Sequence, residues 1–255
     1  MRLNPHTELS ASSICIATHC DDVHQKLTQV IEDYFYQPER ELIDMDLAQY
    51  RQVMYAAQAE LNRDAFSLCI IKSIQPTLAN YLSHDAFLIQ SNLYLRASRP
   101  GLPAETENIG WHRESFYGPN LSKSINIWTP IKGVSDKNSL RFIPESQLIP
   151  DDKIITKNIG ERSTKRFSVG HKLGFNYNQK VIESGVDLSG AKTLWVPVKH
   201  SALFSGNLIH GAAVNRDKKI RFSVDFQVIK KKHFSAKNKN FHFSSGKPYF
   251  VEAPI

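Results

Sequence analysis

Between Ile220 and Ile229 the chain alternates without a slip. Ile220, Phe222, Val224, Phe226 and Val228 fall on one side, and Arg221, Ser223, Asp225 and Gln227 on the other. Period-two alternation of this length specifies a β-strand whose two faces meet different surroundings. The apolar face needs a hydrophobic layer above it. The polar face carries a guanidinium, a hydroxyl, a carboxylate and an amide, so it looks either into water or into a site.

The first third of the chain can supply that layer. From Asp21 to about Tyr81 the apolar residues follow helical steps. Val23, Leu27, Val30, Ile31, Tyr34 and Phe35 form one stripe, behind Asp21 and Asp22, which suit an N-cap and first turn. Leu47, Tyr50, Met54, Ala57 and Leu61 form a second stripe, and an apolar segment from Phe66 to Ile74 ends near Pro76. After His84 the period changes to two. Phe87–Leu95, Trp111–Tyr117, Ile125–Ile131, Leu140–Ile143, Thr193–Val198 and Ala202–Phe204 are short, rich in β-branched or aromatic residues, and divided by Gly, Pro, Asn and Ser. Residues 151–192 are polar with weak periodicity and read as a long, lid-like insertion.

Composition excludes several classes. With 255 residues, 41% apolar and 22% charged, the chain is neither disordered nor fibrous and can bury a sizeable core. Its 32 Lys and Arg against 25 Asp and Glu leave a net charge of +7. These cations are scattered, apart from a tail cluster at Lys230, Lys231, Lys232, Lys237 and Lys239. A solvated basic face with a preference for small anionic ligands fits this better than nucleic acid. In the tail, His233, Phe234, Phe241, His242 and Phe243 interleave with lysines as in single-strand binders. The simpler reading packs those aromatics on the β core and leaves the lysines in water. Three cysteines (Cys15, Cys20 and Cys69) without a C-x-x-C pair indicate neither a disulfide framework nor structural zinc. With no apolar signal-like start and no 18-residue apolar run, the expected setting is cytoplasmic, with no membrane partner.

Metal-ligand spacing is the richest functional signal. Ten histidines and 25 acids predict about one H-x-[DE] by chance, and three occur: His6-Thr7-Glu8, His19-Cys20-Asp21 and His112-Arg113-Glu114. The first lies near a terminus. The second opens a helix, where its acids have an ordinary capping task. The third sits in an aromatic-rich strand candidate, where residues i and i+2 point to the same side and both can grip one ion. Downstream, Phe204-Ser205-Gly206-Asn207-Leu208-Ile209-His210-Gly211 sets another histidine in a strand-to-turn context, and Arg221 with Ser223 follows eleven residues later. Two imidazoles and one carboxylate on a β scaffold make the facial triad suited to non-haem Fe(II), with positions left open. A guanidinium nearby can hold a carboxylate through two bonds, helped by the hydroxyl two residues on.

The ordered set Trp111-His112-Arg113-Glu114, then Asn138-Ser139-Leu140-Arg141-Phe142-Ile143-Pro144-Glu145-Ser146, then His210-Gly211 through Asn215 to Arg221-Phe222-Ser223 resembles the phytanoyl-CoA dioxygenase-like Fe(II)/2-oxoglutarate-dependent oxygenases. The resemblance spans about Phe87 to Val228. It implies that His112, Glu114 and His210 ligate Fe(II), and that Arg221, helped by Ser223, holds the distal carboxylate of 2-oxoglutarate. Gln90, Asn92 or Tyr94, and Asn126 or Trp128, would line the pocket, and Asp225 would meet substrate. Two departures stand out: Glu114 where Asp is commoner, and Pro144-Glu145-Ser146-Gln147 where the usual turn reads Pro-Gly-Ser-His.

The expected fold is mainly β with α, a double-stranded β-helix (jelly-roll, cupin-like) core flanked by N-terminal helices. One oxygenase domain would span residues 1–255, with a mostly helical part at 1–84, the core at 85–230 carrying the insertion, and a tail at 231–255. The expected activity uses O2 and 2-oxoglutarate to hydroxylate, or otherwise oxidise, an unactivated C–H bond of a small molecule. A carbohydrate or secondary-metabolite intermediate is the expected substrate class, and the basic charge favours an acidic one. Two alternatives remain at this point: a cupin-fold metalloenzyme with no use for 2-oxoglutarate, and a non-enzymatic anion or nucleic-acid binder.

Overall fold

A computed structural model describes residues 14–102, 109–158, 180–238 and 248–253. After strand β1 (Cys15–Thr18), five helices follow: α1 (Asp21–Tyr34), α2 (Glu39–Asp44), α3 (Leu47–Arg63), α4 (Phe66–Ser73) and α5 (Gln75–Tyr81). Both sequence stripes face inward, since Val23, Leu27, Val30, Ile31, Tyr50, Met54, Ala57 and Leu61 are all buried. One local expectation needs correction: Cys20, not an aspartate, occupies the cap of α1, with Asp21 and Asp22 inside its first turn. The Phe66–Ile74 segment ends as expected, with α4 stopping at Ser73, and Pro76 stands in the first turn of α5, where its missing N–H costs nothing. Asp46 caps α3 in the ordinary way, accepting from Ala48 N at 2.8 Å and Gln49 N at 3.2 Å.

The remaining strands are β2 (Phe87–Gln90), β3 (Tyr94–Ser98), β4 (Ser124–Lys132), β5 (Leu140–Phe142), β6 (Ile155–Asn158), β7 (Lys180–Ser184), β8 (Lys192–Leu194), β9 (His200–Ser205), β10 (His210–Ala212), β11 (Arg221–Lys230) and β12 (Phe250–Glu252). Seven of the strands form one antiparallel sheet in the order β1-β9-β4-β11-β2-β12, with β3 also on β11. The long strand is its spine: β4 pairs along one edge, and β3 and then β2 along the other. A second sheet runs β10-β5-β8, and β6 pairs with β7 as a separate hairpin. Among the described residues the sheets do not close into a barrel.

Each face of β11 does what the alternation demands. Phe222, Val224, Phe226 and Val228 share one core cluster with Leu27, Ile31, Tyr50, Leu61 and Ile70, so the helices cover that face. Truncating one of these fully buried side chains to Ala would cost about 2–5 kcal/mol. The opposite face looks toward the second sheet. There Trp128, Ala202 and Phe204 of the large sheet pack with Leu140 and Leu194 of the small one. Of the lid-like stretch, the structure describes the β6–β7 hairpin and residues 184–192, and residues 159–179 lie outside the described residues, as do His6, Lys239, Phe241, His242 and Phe243. The tail reading is partly met: Phe234 packs against Leu88, Ile229 and Phe250, and Lys231 and Lys232 stand in the open, whereas Lys230 is mostly covered and pairs with Asp85 at 2.9 Å. β12 also adds to the large sheet through β2, so the end of the chain contributes to the core.

Candidate metal centre

The strand expected at Trp111–Tyr117 is not one. His112 makes an isolated bridge to His210, each backbone N–H donating to the other's carbonyl at 2.9 Å. Arg113 is extended, and Glu114 begins a 3₁₀ turn, Glu114–Tyr117. The turn wins because the ladder has no second rung: Glu114 N donates across to Gly206 O at 2.7 Å instead of continuing beside β10. The single extended residue is still enough to send His112 and Glu114 to the same side.

This bridge brings the three side chains together. All are buried, and the ligand atoms of His112, Glu114 and His210 lie within 4.8 Å of one another. Nε2 of His112 is 3.8 Å from Glu114 Oε1, and Nε2 of His210 is 3.9 Å from the same atom. Nδ1 of His112 faces Gly110 O at 2.7 Å, and Nδ1 of His210 faces Leu208 O at 2.9 Å. A carbonyl can only accept, so each Nδ1 carries the proton and each Nε2 turns its lone pair toward the carboxylate. Imidazoles oriented by backbone carbonyls, with a carboxylate between their free nitrogens, suit a divalent metal of the Fe(II) type. Among the described residues, no other His, Cys, Asp and Glu group is placed to hold an ion. His19, in particular, lies between the hydroxyls of Ser73 and Ser201 at 2.7 and 2.6 Å.

The electrostatics leave room for a cation. Burial, then the neighbouring His210, lowers the His112 pKa well below the ordinary 6.5, and burial lowers that of His210. Burial likewise pushes Glu114 up to about 7, partly offset by a hydrogen bond from Gln227. Neutral imidazoles are the ligating form, and a bound cation would stabilise the desolvated carboxylate.

The rest of the site lies on the inner face of the large sheet. Asn126 of β4 stands opposite Gln227 of β11. Gln90 follows Ile89, the partner of Val228, and so shares Gln227's face. The three amides therefore form a row beside Glu114, and Gln90 Nε2 is buried with no acceptor among the described residues. Further along β11 come Asp225, Ser223 and Arg221. Arg221 is buried and donates from Nη1 to Asn138 O at 3.2 Å. Ser223 Oγ accepts from Trp128 Nε1 at 3.2 Å, so Trp128 braces the hydroxyl as well as filling the inter-sheet cluster. Asp225 is committed elsewhere: Arg96 grips it with Nε at 2.6 Å and Nη2 at 3.0 Å.

Sequence reasoning missed Gln227 and Arg96 as site neighbours, although both continue alternations already visible: Asp225 to Gln227, and Tyr94 to Arg96. It also missed Tyr249, whose hydroxyl lies 3.5 Å from Gln227 Oε1 and which directly precedes β12, a strand whose partner is remote in sequence.

Fold and centre together define a class: a jelly-roll-type protein with one carboxylate and two histidines placed so that they could hold a metal ion. Comparison makes it specific. The phytanoyl-CoA dioxygenase (PhyH) family profile matches residues 15–223, and the chain belongs to that family. It is thus a non-haem oxygenase dependent on Fe(II), 2-oxoglutarate and O2, acting on small molecules. No curated protein matches the chain. Among solved structures, the apo form of the non-heme monooxygenase ThoJ superposes with a TM-score of 0.51 at 12% identity, over 86% of this chain and 75% of that one. SnoK, a non-heme alpha-ketoglutarate-dependent carbocyclase from nogalamycin biosynthesis, gives 0.46 at 10% identity, over 86% and 79%. At these identities ThoJ supports the fold alone, and SnoK is too distant to argue from. Among the described residues, no helix is long and apolar enough to cross a membrane.

Proposed function

We propose that His112, Glu114 and His210 hold the ferrous ion and that Arg221, with Ser223, fixes the distal carboxylate of 2-oxoglutarate. The enzyme then hydroxylates an unactivated C–H bond of a small, polar molecule. The convergence of both Nε2 atoms on one carboxylate carries this reading. The donor set fits the metal: two neutral nitrogens and one anionic oxygen, in a pocket with no competing thiolate ligand among the described residues.

When bound, Fe(II) and 2-oxoglutarate would let O2 act as the oxidant, one oxygen atom entering succinate as carbon dioxide is lost and the other entering the substrate. The protein positions and desolvates. Gly110 O and Leu208 O keep the imidazole protons on Nδ1, so Nε2 is the nitrogen left free to ligate. Gln227 holds the Glu114 carboxyl in place. Arg221, buried among backbone and hydroxyl groups, presents a fixed positive charge to a dicarboxylate, and Trp128 orients Ser223 beside it.

For the substrate we favour a hydroxyl-rich molecule, such as a carbohydrate or secondary-metabolite intermediate. The amide row of Gln90, Asn126 and Gln227 offers paired donors and acceptors, as hydroxyl groups require. An acidic group on that molecule would suit the net charge of +7. A cytoplasmic setting suits three free cysteines and a ferrous cofactor.

Two variants test the assignment. With iron, ascorbate and 2-oxoglutarate, His210→Ala should abolish succinate release, and unchanged turnover would defeat it. Arg221→Ala should weaken 2-oxoglutarate binding by at least tenfold while leaving metal uptake near wild type. Equal binding of 2-oxoglutarate would remove Arg221 from the co-substrate site.

A further inference from the structure

Between the first two ligands stands Arg113, for which the chemistry above has no use. His112 and Glu114 turn toward the centre, and Arg113 turns away from it into the protein, 1% exposed. Its Nη1 donates to Ile149 O at 2.7 Å and to Ser146 O at 3.4 Å, and its Nη2 to the carboxylate of Asp151. That carboxylate also accepts from Ser115 Oγ at 2.8 Å. One acid therefore grips the residues on both sides of Glu114.

The same short segment reaches the third ligand. Ser146 Oγ accepts from Ile209 N at 2.8 Å, immediately before His210, and donates to Ile143 O at 2.7 Å. Residues 146–151 thus bond to the immediate chain neighbours of all three metal donors. The segment holds little regular structure of its own, two 3₁₀ turns at Ser146–Leu148 and Asp151–Lys153, and it leads directly into the β6–β7 hairpin. Burying a guanidinium is costly unless its donors are met. To secure a loop alone, an apolar contact would do at lower cost. A rigid fork that fixes distance and angle is what ligand placement needs.

We infer that Arg113 and Asp151 are positioning residues that set where the Glu114 carboxylate sits relative to the two imidazoles. They thereby set the affinity and geometry of the metal centre, and tie it to the base of the β6–β7 hairpin. The inference rests on the reading of His112, Glu114 and His210 as ligands. Neither residue touches metal or substrate; both act through Glu114.

Cobalt(II) serves as a probe, because its visible absorption reports ligand geometry. It is titrated into the full-length, metal-free protein well below the melting temperature. Asp151→Asn should raise the Co(II) dissociation constant about tenfold and shift the visible bands, and Asp151→Glu should restore most of both. Ser115→Ala removes only the second contact, in a position outside the buried network, and should show a smaller change of the same kind. It keeps the test alive if Asp151→Asn does not fold. A purely structural staple predicts otherwise: a lower melting temperature with unchanged Co(II) affinity and spectrum in the folded protein. That result, in Asp151→Asn or in Ser115→Ala where the former does not fold, would overturn the inference. Undiminished Co(II) binding in Glu114→Ala would instead remove the ligand assignment beneath it, so the two failures are distinguishable.

Discussion

Gly211 lies directly after His210, the third of the proposed ligands, where the 110–112 segment approaches β10. A methyl group at that position would meet Gly110 O at 2.9 Å, Gly110 C at 3.0 Å and Trp111 N at 3.1 Å. All three are backbone atoms, so no side chain can swing aside. Ordinary contact begins near 3.4 Å, and restoring it requires about 0.5 Å of separation between the backbone segments that carry His112 and His210. The bridge between them consists of two hydrogen bonds at 2.9 Å, and it is what faces the imidazoles toward Glu114. A site tolerates about 0.5 Å of displacement before its geometry degrades. Gly211→Ala should therefore weaken metal binding about 10- to 100-fold, as loss of a supporting contact does elsewhere, or about 1.4–2.8 kcal/mol. Gly190 has nothing within 4 Å of its would-be Cβ, so Gly190→Ala is the matched control. Calorimetric titration of the metal-free proteins with Co(II) reads both. Wild-type affinity in Gly211→Ala would refute the claim that the close approach of these two backbones builds the centre.

Two further predictions concern folding. Burial, then the charges of His200 and His24, lowers the His19 pKa from 6.5 to about 4. The folded state thus resists a proton that the unfolded chain accepts, so this contribution is intact above pH 6.5, declines as pH falls, and is exhausted near pH 4. The loss is about 3 kcal/mol. Urea unfolding of wild type and His19→Gln at pH 7 and pH 4 should therefore show the smaller pH dependence in the variant, and equal dependence would dismiss the mechanism. Glu145 holds a left-handed backbone, φ 60°, where a side chain costs about 1 kcal/mol. Glu145→Gly should leave stability equal or up to about 1 kcal/mol higher, and Glu145→Val should lower it, both read from thermal melts.

Much of this architecture is legible in the residues themselves. Alternation over Ile220–Ile229 dictates both a helix-covered face and a site-facing one, because no other register would bury Phe222, Val224 and Phe226. The spacing of His112, Glu114 and His210 survives even though the strand expected around the first two is a bridge and a turn. An aromatic run such as Trp111 to Tyr117 looks strand-like locally, but whether it pairs depends on partners nearly a hundred residues away. The same holds for β1, four residues on the sheet edge, and for β12, whose pairing with β2 crosses most of the chain. Arg113 illustrates the deeper limit. A lone arginine between two ligands looks like a surface residue until Ser146, Ile149 and Asp151 fold around it. The partner of Asp225 is hidden for a like reason: Arg96, which grips its carboxylate, sits on β3, adjacent in the sheet but remote in sequence.

A crystal grown anaerobically with Fe(II), and recorded across the iron absorption edge, bears most directly on the centre. The expected result is a single iron peak bonded to Nε2 of His112, Nε2 of His210 and a carboxylate oxygen of Glu114, with both Nδ1 atoms still on their carbonyls. Iron bound elsewhere, or ligated through either Nδ1, would contradict it.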